Sequence, residues 1–283
     1  MPNQQFVSPT DLREACSILC QAKGKIAILA GGTDLMPRFN TRRPAFRPDV
    51  LLYLGGLHLD YIRLDGQTLV IGACATHEDI VNSDHVRKHA PLLAKACSEI
   101  GCPAIRNAGT IGGNVCNRAP YADGTTALMA LDASMVIATE SGDRGMKLED
   151  FVTYPLSNFL KPGEILKEIH IPMMLAEHKW GWLKQGQRRG SSISVAAVAV
   201  RMKMHDRACS DARIAAGAVA PTPFVSKSAP AILEGQPLSE SLAEKAGAAV
   251  SEEADPQDDS RASAWYRKKL VGVLVKRTLT ALA

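Results

Sequence analysis

Two short glycine turns constrain this chain more than any other feature. Ala30-Gly31-Gly32-Thr33-Asp34-Leu35 follows an apolar run, Ile26-Ala27-Ile28-Leu29, that reads as a buried strand. Thr110-Ile111-Gly112-Gly113-Asn114 follows Asn107-Ala108-Gly109 and precedes Val115. Paired glycines permit positive φ and leave no Cβ between the backbone and a ligand. Successive N–H groups in such a turn face one way and form an anion-binding concavity. Two such turns, each beside a small hydroxyl or amide, point to a ligand whose phosphates are held by backbone rather than by lysines.

A length of 283 residues accommodates one large domain or two to three of roughly 100–200 residues each. With 46% apolar and 22% charged residues, the composition is that of a soluble globular protein. Aromatic residues make up only 5%, which argues against single-stranded nucleic acid as a partner, since that role needs stacking platforms. The net charge is +4. The basic clusters Lys184/Arg188/Arg189 and Arg267/Lys268/Lys269 with Lys276/Arg277 read as solvated faces. A partner's acidic surface and a dinucleotide phosphate are the alternatives. The N-terminal stretch carries Asp11, Arg13 and Glu14 without an apolar h-region. No apolar run approaches the ~18 residues of a membrane span, so a cytoplasmic chain is expected.

The seven cysteines are odd in number and include no C-x-x-C, which argues against a disulfide framework. Their spacing lacks the local pairs of a four-ligand metal site, and they read as buried small hydrophobes. A redox cluster would therefore lie on another chain.

The periodicity predicts a capped helix after Pro9-Thr10-Asp11, ending by Gly24, then strand 26–30, the first glycine turn, a helical stretch from Asp34 and a strand at 49–54. Gly55-Gly56 marks a subdomain boundary. Beyond it come a hairpin about Asp65-Gly66, a helix capped by Thr76, helices at 91–100 and 123–131, and strands at 134–139 and 165–171. Pro172 to Glu177 reads as a linker. The remainder has strands at 180–185, 194–203 and 212–219, then helices at 229–233, 238–250 and 263–282. Strands followed by helices make a separate α+β domain. The units are thus 1–55, 56–175 and 178–283.

There is no G-x-G-x-x-G, no P-loop, no H-E-x-x-H and no G-x-S-x-G. His77-Glu78 is the sole adjacent His–Glu pair and reads as the start of a surface helix. No catalytic residue is nominated. A flavin performs redox chemistry with little acid–base help from its protein.

The two turns, their order and their ~80-residue separation resemble the FAD-binding medium subunit of the molybdenum hydroxylases, the xanthine dehydrogenase and carbon monoxide dehydrogenase family. The stretch Asn117-Arg118-Ala119-Pro120-Tyr121-Ala122-Asp123 is similar to the family's Asn-x-Ser-Pro-x-x-Asp, with Ala119 where serine is frequent. Asp259-x-Arg261-x-Ser263-Ala264-x-Tyr266-Arg267 is similar to its C-terminal signature. The resemblance covers essentially the whole chain. It implies a vanillyl-alcohol-oxidase (PCMH)-type α+β fold, two α/β subdomains gripping FAD plus a C-terminal α+β domain. It also implies a cofactor channel of Ile28, Leu29, Ala30, Gly31, Gly32, Thr33, Asp34 and Leu35. Thr110, Ile111, Gly112, Gly113, Asn114 and Asn117 would reach the cofactor from the second turn. Asp123 would accept hydrogen bonds from its hydroxyls, Leu166 would press on the isoalloxazine, Lys184 would lie near it, and Ile100 is a weaker match. Asp34 would turn from the phosphates and cap local amides. Losing the serine hydroxyl at Ala119 is worth ~1 kcal/mol and leaves FAD binding in place.

The implied function is a relay. A large subunit carries a molybdenum–pterin centre and a small subunit two two-iron, two-sulfur clusters. This chain takes electrons from those clusters and passes them to NAD or another acceptor. Two other readings stay open. One is a scaffold or assembly subunit with a decayed flavin site, against which the intact glycines argue. The other is a free-standing flavin oxidase, for which the C-terminal ~105 residues are small.

Overall fold

Three sheets arise from three sequence patterns. The computed structural model describes residues 4–22, 24–39, 47–152, 160–188, 190–206 and 208–283; Arg189 of the first basic cluster lies outside them. In the first unit β1 (Gln5–Val7), α1 (Leu12–Gln21), β2 (Ile26–Leu29), α2 (Leu35–Phe39) and β3 (Val50–Tyr53) form a parallel sheet in the order β1-β3-β2. The Asp11 carboxylate accepts from the amides of Arg13 and Glu14 and so caps α1, whose Ala15, Cys16 and Leu19 are buried.

The second unit comprises β4 (Ile62–Asp65), β5 (Thr68–Gly72), α3 (His77–Asn82), α4 (Asp84–His89), α5 (Pro91–Ser98), α6 (Pro103–Arg106), α7 (Ile111–Asn117), α8 (Asp123–Ala130), β6 (Ser134–Thr139), β7 (Gly142–Lys147), α9 (Leu148–Val152) and β8 (Ile165–Pro172). Its sheet is antiparallel in the order β4-β5-β8-β6-β7. Gly66 takes φ +55° in the β4–β5 hairpin, as the Asp-Gly turn requires. Thr76 opens α3 with a reciprocal cap: its hydroxyl accepts from the Asp79 amide and the Asp79 carboxylate accepts from the Thr76 amide.

The third unit is β9 (His178–Gly186), β10 (Ser194–His205), β11 (Ala208–Gly217), β12 (Phe224–Val225), α10 (Ser228–Leu233), α11 (Glu240–Glu253) and α12 (Ala264–Thr280), with an antiparallel sheet in the order β12-β11-β10-β9. From Ser194 to Arg201 every β10 residue is buried. The cause is burial of both faces, which produces a continuous apolar run rather than alternation. Ala196, Val198 and Val200 pack with Val271 and Val275 of α12. Ala197, Ala199 and Ala215 belong instead to the core of the second unit. The α8 helix is wedged there and buried at all eight positions.

The sequence reading omitted β1, β7, α4, α6, α9 and β12, and it took the start of α7 for a glycine turn: Gly112 and Gly113 lie in that helix and neither takes positive φ. The β7 sequence, Gly-Asp-Arg-Gly-Met-Lys, is polar because it is an edge strand with four of its six residues exposed. The cysteine expectation is corrected in part: Cys16, Cys97 and Cys209 are buried, but Cys20 and Cys116 are exposed. Arg267 is also no solvated face; it is 4% exposed.

Candidate flavin site and the joint beside it

The two glycine turns lie against each other. A Cβ on Gly31 would stand 1.7 Å from the Ala108 carbonyl oxygen, closer than any atom pair tolerates, so only glycine lets the first turn rest on the Ala108–Gly109 peptide. Gly32 follows at φ +70°. Behind the contact is a cavity of about 340 Å³ walled by both turns, within the size range of small-molecule sites.

Of the residues nominated from sequence, Ile28, Ala30, Gly31, Gly32, Thr33, Asp34, Leu35, Ile100, Thr110, Gly112, Gly113, Asn114, Asn117 and Leu166 line this cavity. Four do not. Leu29 approaches Gly32 from behind, and Ile111 is a fully buried core residue. Asp123 and Lys184 lie in the joint described below. Leu54, Ala73, His77, Ile105, Gly109, Cys116, Leu160 and Ile165 complete the wall and were missed. Most are apolar or small and carry no signal in one sequence.

The turns differ in what they offer a ligand. The amides of Gly31, Gly32, Thr33 and Asp34 have no hydrogen-bond partner among the described residues. In the second turn the Ile111 amide donates to the Ala75 carbonyl, that of Gly112 to Ala73, and that of Gly113 to Thr110 Oγ1. Those donors dock α7 onto the end of β5. Gly113 therefore contributes space rather than a donor: a Cβ there would meet nothing within 4 Å except Thr110 Oγ1. Asn114 Oδ1 accepts from the Thr125 amide and hydroxyl, at 3.0 and 3.1 Å, tying α7 to α8.

The expectation for Asp34 is corrected. Its carboxylate caps no amide among the described residues; it pairs with Arg38 one helical turn later. The Arg38 guanidinium also donates to Asn117 Oδ1 at 3.2 Å, linking the rims of the two turns. The expectation for His77-Glu78 is corrected too. His77 is 3% exposed, and burial, with the Arg106 charge nearby, pushes its pKa down to about 4. Glu78 pairs with Arg106 at 2.8 Å.

Asp123 and Lys184 form a joint between the second and third units. Asp123 accepts from Lys184 Nζ at 2.6 Å and from Ser194 Oγ at 2.5 Å. Burial pushes the Asp123 carboxyl up, and Lys184 and Ser194 pull against it. Lys184 Nζ also donates to the Glu99 carbonyl at 2.9 Å, which fixes the segment carrying Ile100. Nearby, Ala218 donates to the Pro120 carbonyl and the Arg261 guanidinium lies 4.7 Å over the Tyr121 ring. Asp259 binds both Arg261 and Arg267, and Arg267 donates to the carbonyls of Val195 and Ala218. Hydrogen bonds to these arginines and to the amides of Arg261 and Ala262 hold the Asp259 carboxyl well below its ordinary range, against the opposing effect of burial. The 117–123 stretch and the 259–267 signature thus meet each other.

Among the described residues no three His, Cys, Asp or Glu side chains come together to hold a metal ion. No described helix is long and apolar enough to cross a membrane. Free amides, a bend without a side chain and an apolar far wall fit a dinucleotide with a diphosphate and a planar ring.

Comparison with known proteins agrees. Residues 2–174 match the FAD binding domain in molybdopterin dehydrogenase, and residues 182–282 match the CO dehydrogenase flavoprotein C-terminal domain. The chain is 31% identical to glyceraldehyde dehydrogenase medium chain of Sulfolobus acidocaldarius, covering 100% of this chain and 99% of that one. It is 34% identical to nicotinate dehydrogenase FAD-subunit of Eubacterium barkeri, over 98% and 95%. Its fold superposes on a chain of carbon monoxide dehydrogenase from Hydrogenophaga pseudoflava with a TM-score of 0.94, at 31% identity over 99% and 97% of the two chains. The fold and the cavity define an α+β FAD-binding oxidoreductase subunit. The chain belongs to the FAD-binding medium subunits of the molybdenum hydroxylase family.

Proposed function

We propose that this chain accepts electrons from iron–sulfur clusters on a small partner subunit, which a large molybdenum–pterin subunit supplies, and delivers them to NAD or another acceptor. The observation that carries this reading is the contact of the two glycine turns, with four unpartnered amides on residues that line one cavity. Bound FAD supplies the redox chemistry, moving one or two electrons at a time.

The chain's own residues bind and orient. The Gly31–Asp34 amides hold the diphosphate, with Arg38 neutralising Asp34 beside it. Gly113 leaves the approach open, and Ile100 and Leu166 supply an apolar wall for the ring. Asp123 and Lys184 act on that wall by anchoring Glu99. We read 1–55, 56–175 and 178–283 as the three domains and the cytoplasm as the compartment. The relatives act on glyceraldehyde, nicotinate and carbon monoxide by their names, so a subunit of this kind serves unlike substrates, and substrate choice is assigned to the partner.

The test is co-expression with the partner chains. A yellow complex releasing one FAD per copy of this chain, and containing iron–sulfur and molybdenum subunits, is expected. A colourless complex that takes up no added FAD would favour a scaffold, and a flavin-loaded chain active alone would favour a free-standing oxidase.

A further inference from the structure

His77 is a titratable side chain in the cavity wall that the reading above leaves without a task. It sits at the first position of α3, where the reciprocal Thr76–Asp79 cap fixes the backbone. Its own amide donates to the Gly109 carbonyl at 3.0 Å. The ring is held from behind by Cys97, with Nδ1 3.6 Å from Sγ. Cys97 is fully buried, and burial pushes its thiol well above the ordinary range, so the sulfur keeps its proton. A thiol sulfur is a weak acceptor but carries an S–H donor. When the S–H donates to Nδ1, the neutral ring carries its own proton on Nε2.

The one side-chain hydrogen bond of the His77 ring among the described residues is at Nδ1, which leaves Nε2 for a ligand. The adjacent Cδ2 lies 3.3 Å from the point a Cβ on Gly109 would occupy, and Thr33 Oγ1 lies 3.2 Å from the same point. His77 and Thr33 thus both crowd Gly109, and they line the same cavity as the residues whose amides are free. We propose that His77 is a binding residue for FAD, donating from Nε2–H to a diphosphate oxygen, with the Cys97 thiol as the positioning group that selects this tautomer. The inference rests on the assignment of the cavity to FAD.

Three substitutions at His77 in the co-expressed complex test it. Gln places an N–H near Nε2, Asn places one near Nδ1, and Leu removes both. FAD titration of the flavin-depleted complex is expected to give His77→Gln within about threefold of wild type. His77→Asn and His77→Leu are expected to bind roughly tenfold or more weakly, the scale of one hydrogen bond to a charged group. Riboflavin, which lacks the diphosphate, should bind all four proteins alike. If Leu unfolds the chain, the Gln–Asn difference carries the test. Nitrogen-15 spectra of the ring should show Nε2 protonated in wild type and a mixture of tautomers in Cys97→Ala. Equal FAD binding by wild type and His77→Leu, equal losses for Gln and Asn, or a proton on Nδ1 would each overturn the proposal. A wild-type complex that binds no FAD would instead overturn the cofactor assignment beneath it.

Discussion

The cradle made by the two glycine turns and the joint around Asp123 do opposite things with the same raw material. The cradle works through missing atoms: no side chain at Gly31, where the turns touch, and none at Gly113, which borders the cavity. Its donors are backbone amides. The joint works through side chains, with Asp123 and Asp259 drawing Lys184, Ser194, Arg261 and Arg267 across the boundary between units. A cradle stripped of side chains has no stiffness of its own. The difference teaches that its shape is imposed by neighbours: α7 by its amide bonds to Ala73 and Ala75, and the Ile100 wall by Lys184 through Glu99.

The largest effect is expected at the joint. Asp123→Ala leaves the buried Lys184 ammonium without its carboxylate, and removing one partner of a buried ion pair costs about 3–5 kcal/mol. Chemical denaturation should show that loss, and limited proteolysis should cut within 173–177, between β8 and β9. A loss below 1 kcal/mol would mean the ion pair is not what joins the units.

Acid separates the two regions by pH window: both lose stability as pH falls, but at different values. The pKa of His77 falls from an ordinary 6.5 to about 4 on folding, so the unfolded chain binds the extra proton between those values. Its contribution is complete above pH 6.5 and is lost as pH falls toward 4, by about 3 kcal/mol in all. Asp259 is shifted down instead. Its contribution is complete above its ordinary pKa and is lost only as pH falls through the lowered folded value, so it persists at pH 4 to 6.5. Stability measured against pH should flatten in that window in His77→Gln, with His89 and His178 leaving a residual slope, and should keep its wild-type slope in Asp259→Asn.

Gly31→Val comes next. Its Cβ must push the Ala108 carbonyl away, and overpacking of this kind costs about 1–3 kcal/mol. Calorimetry should show that loss together with a fall in FAD content. The smallest effect is Arg261→Ala, which removes the cation over Tyr121 and one partner of Asp259. About 1 kcal/mol is expected, with flavin content unchanged.

Much of this division could be read from the sequence, and the remainder has a physical reason for being hidden. The glycine turns were legible because a bare turn after a strand leaves a mark in residue type. The doubly buried β10 was legible as an apolar run. Polar and edge elements such as β7 were not, because their place comes from the strand they pair with. Asp123 and Lys184 were legible as important but not as partners, since 61 residues separate them in the chain and only the packing of α8 against the third unit brings them together. His77 reads as a surface helix start in the sequence, because Thr76-His77-Glu78-Asp79 is a well-formed cap; what buries the ring is Gly109 and Cys97, both remote.

The direct test of the account is FAD content in Gly113→Val, purified with its partners. The new side chain adds bulk at the cavity; its Cβ stands 3.0 Å from Thr110 Oγ1, which must give by a few tenths of an ångström, while α7 keeps its bonds to Ala73 and Ala75. The account predicts a complex with an unchanged unfolding curve and less than about a tenth of the wild-type flavin, the scale on which blocking a ligand's approach exceeds 1.4 kcal/mol. A variant that folds and retains its full FAD would contradict it.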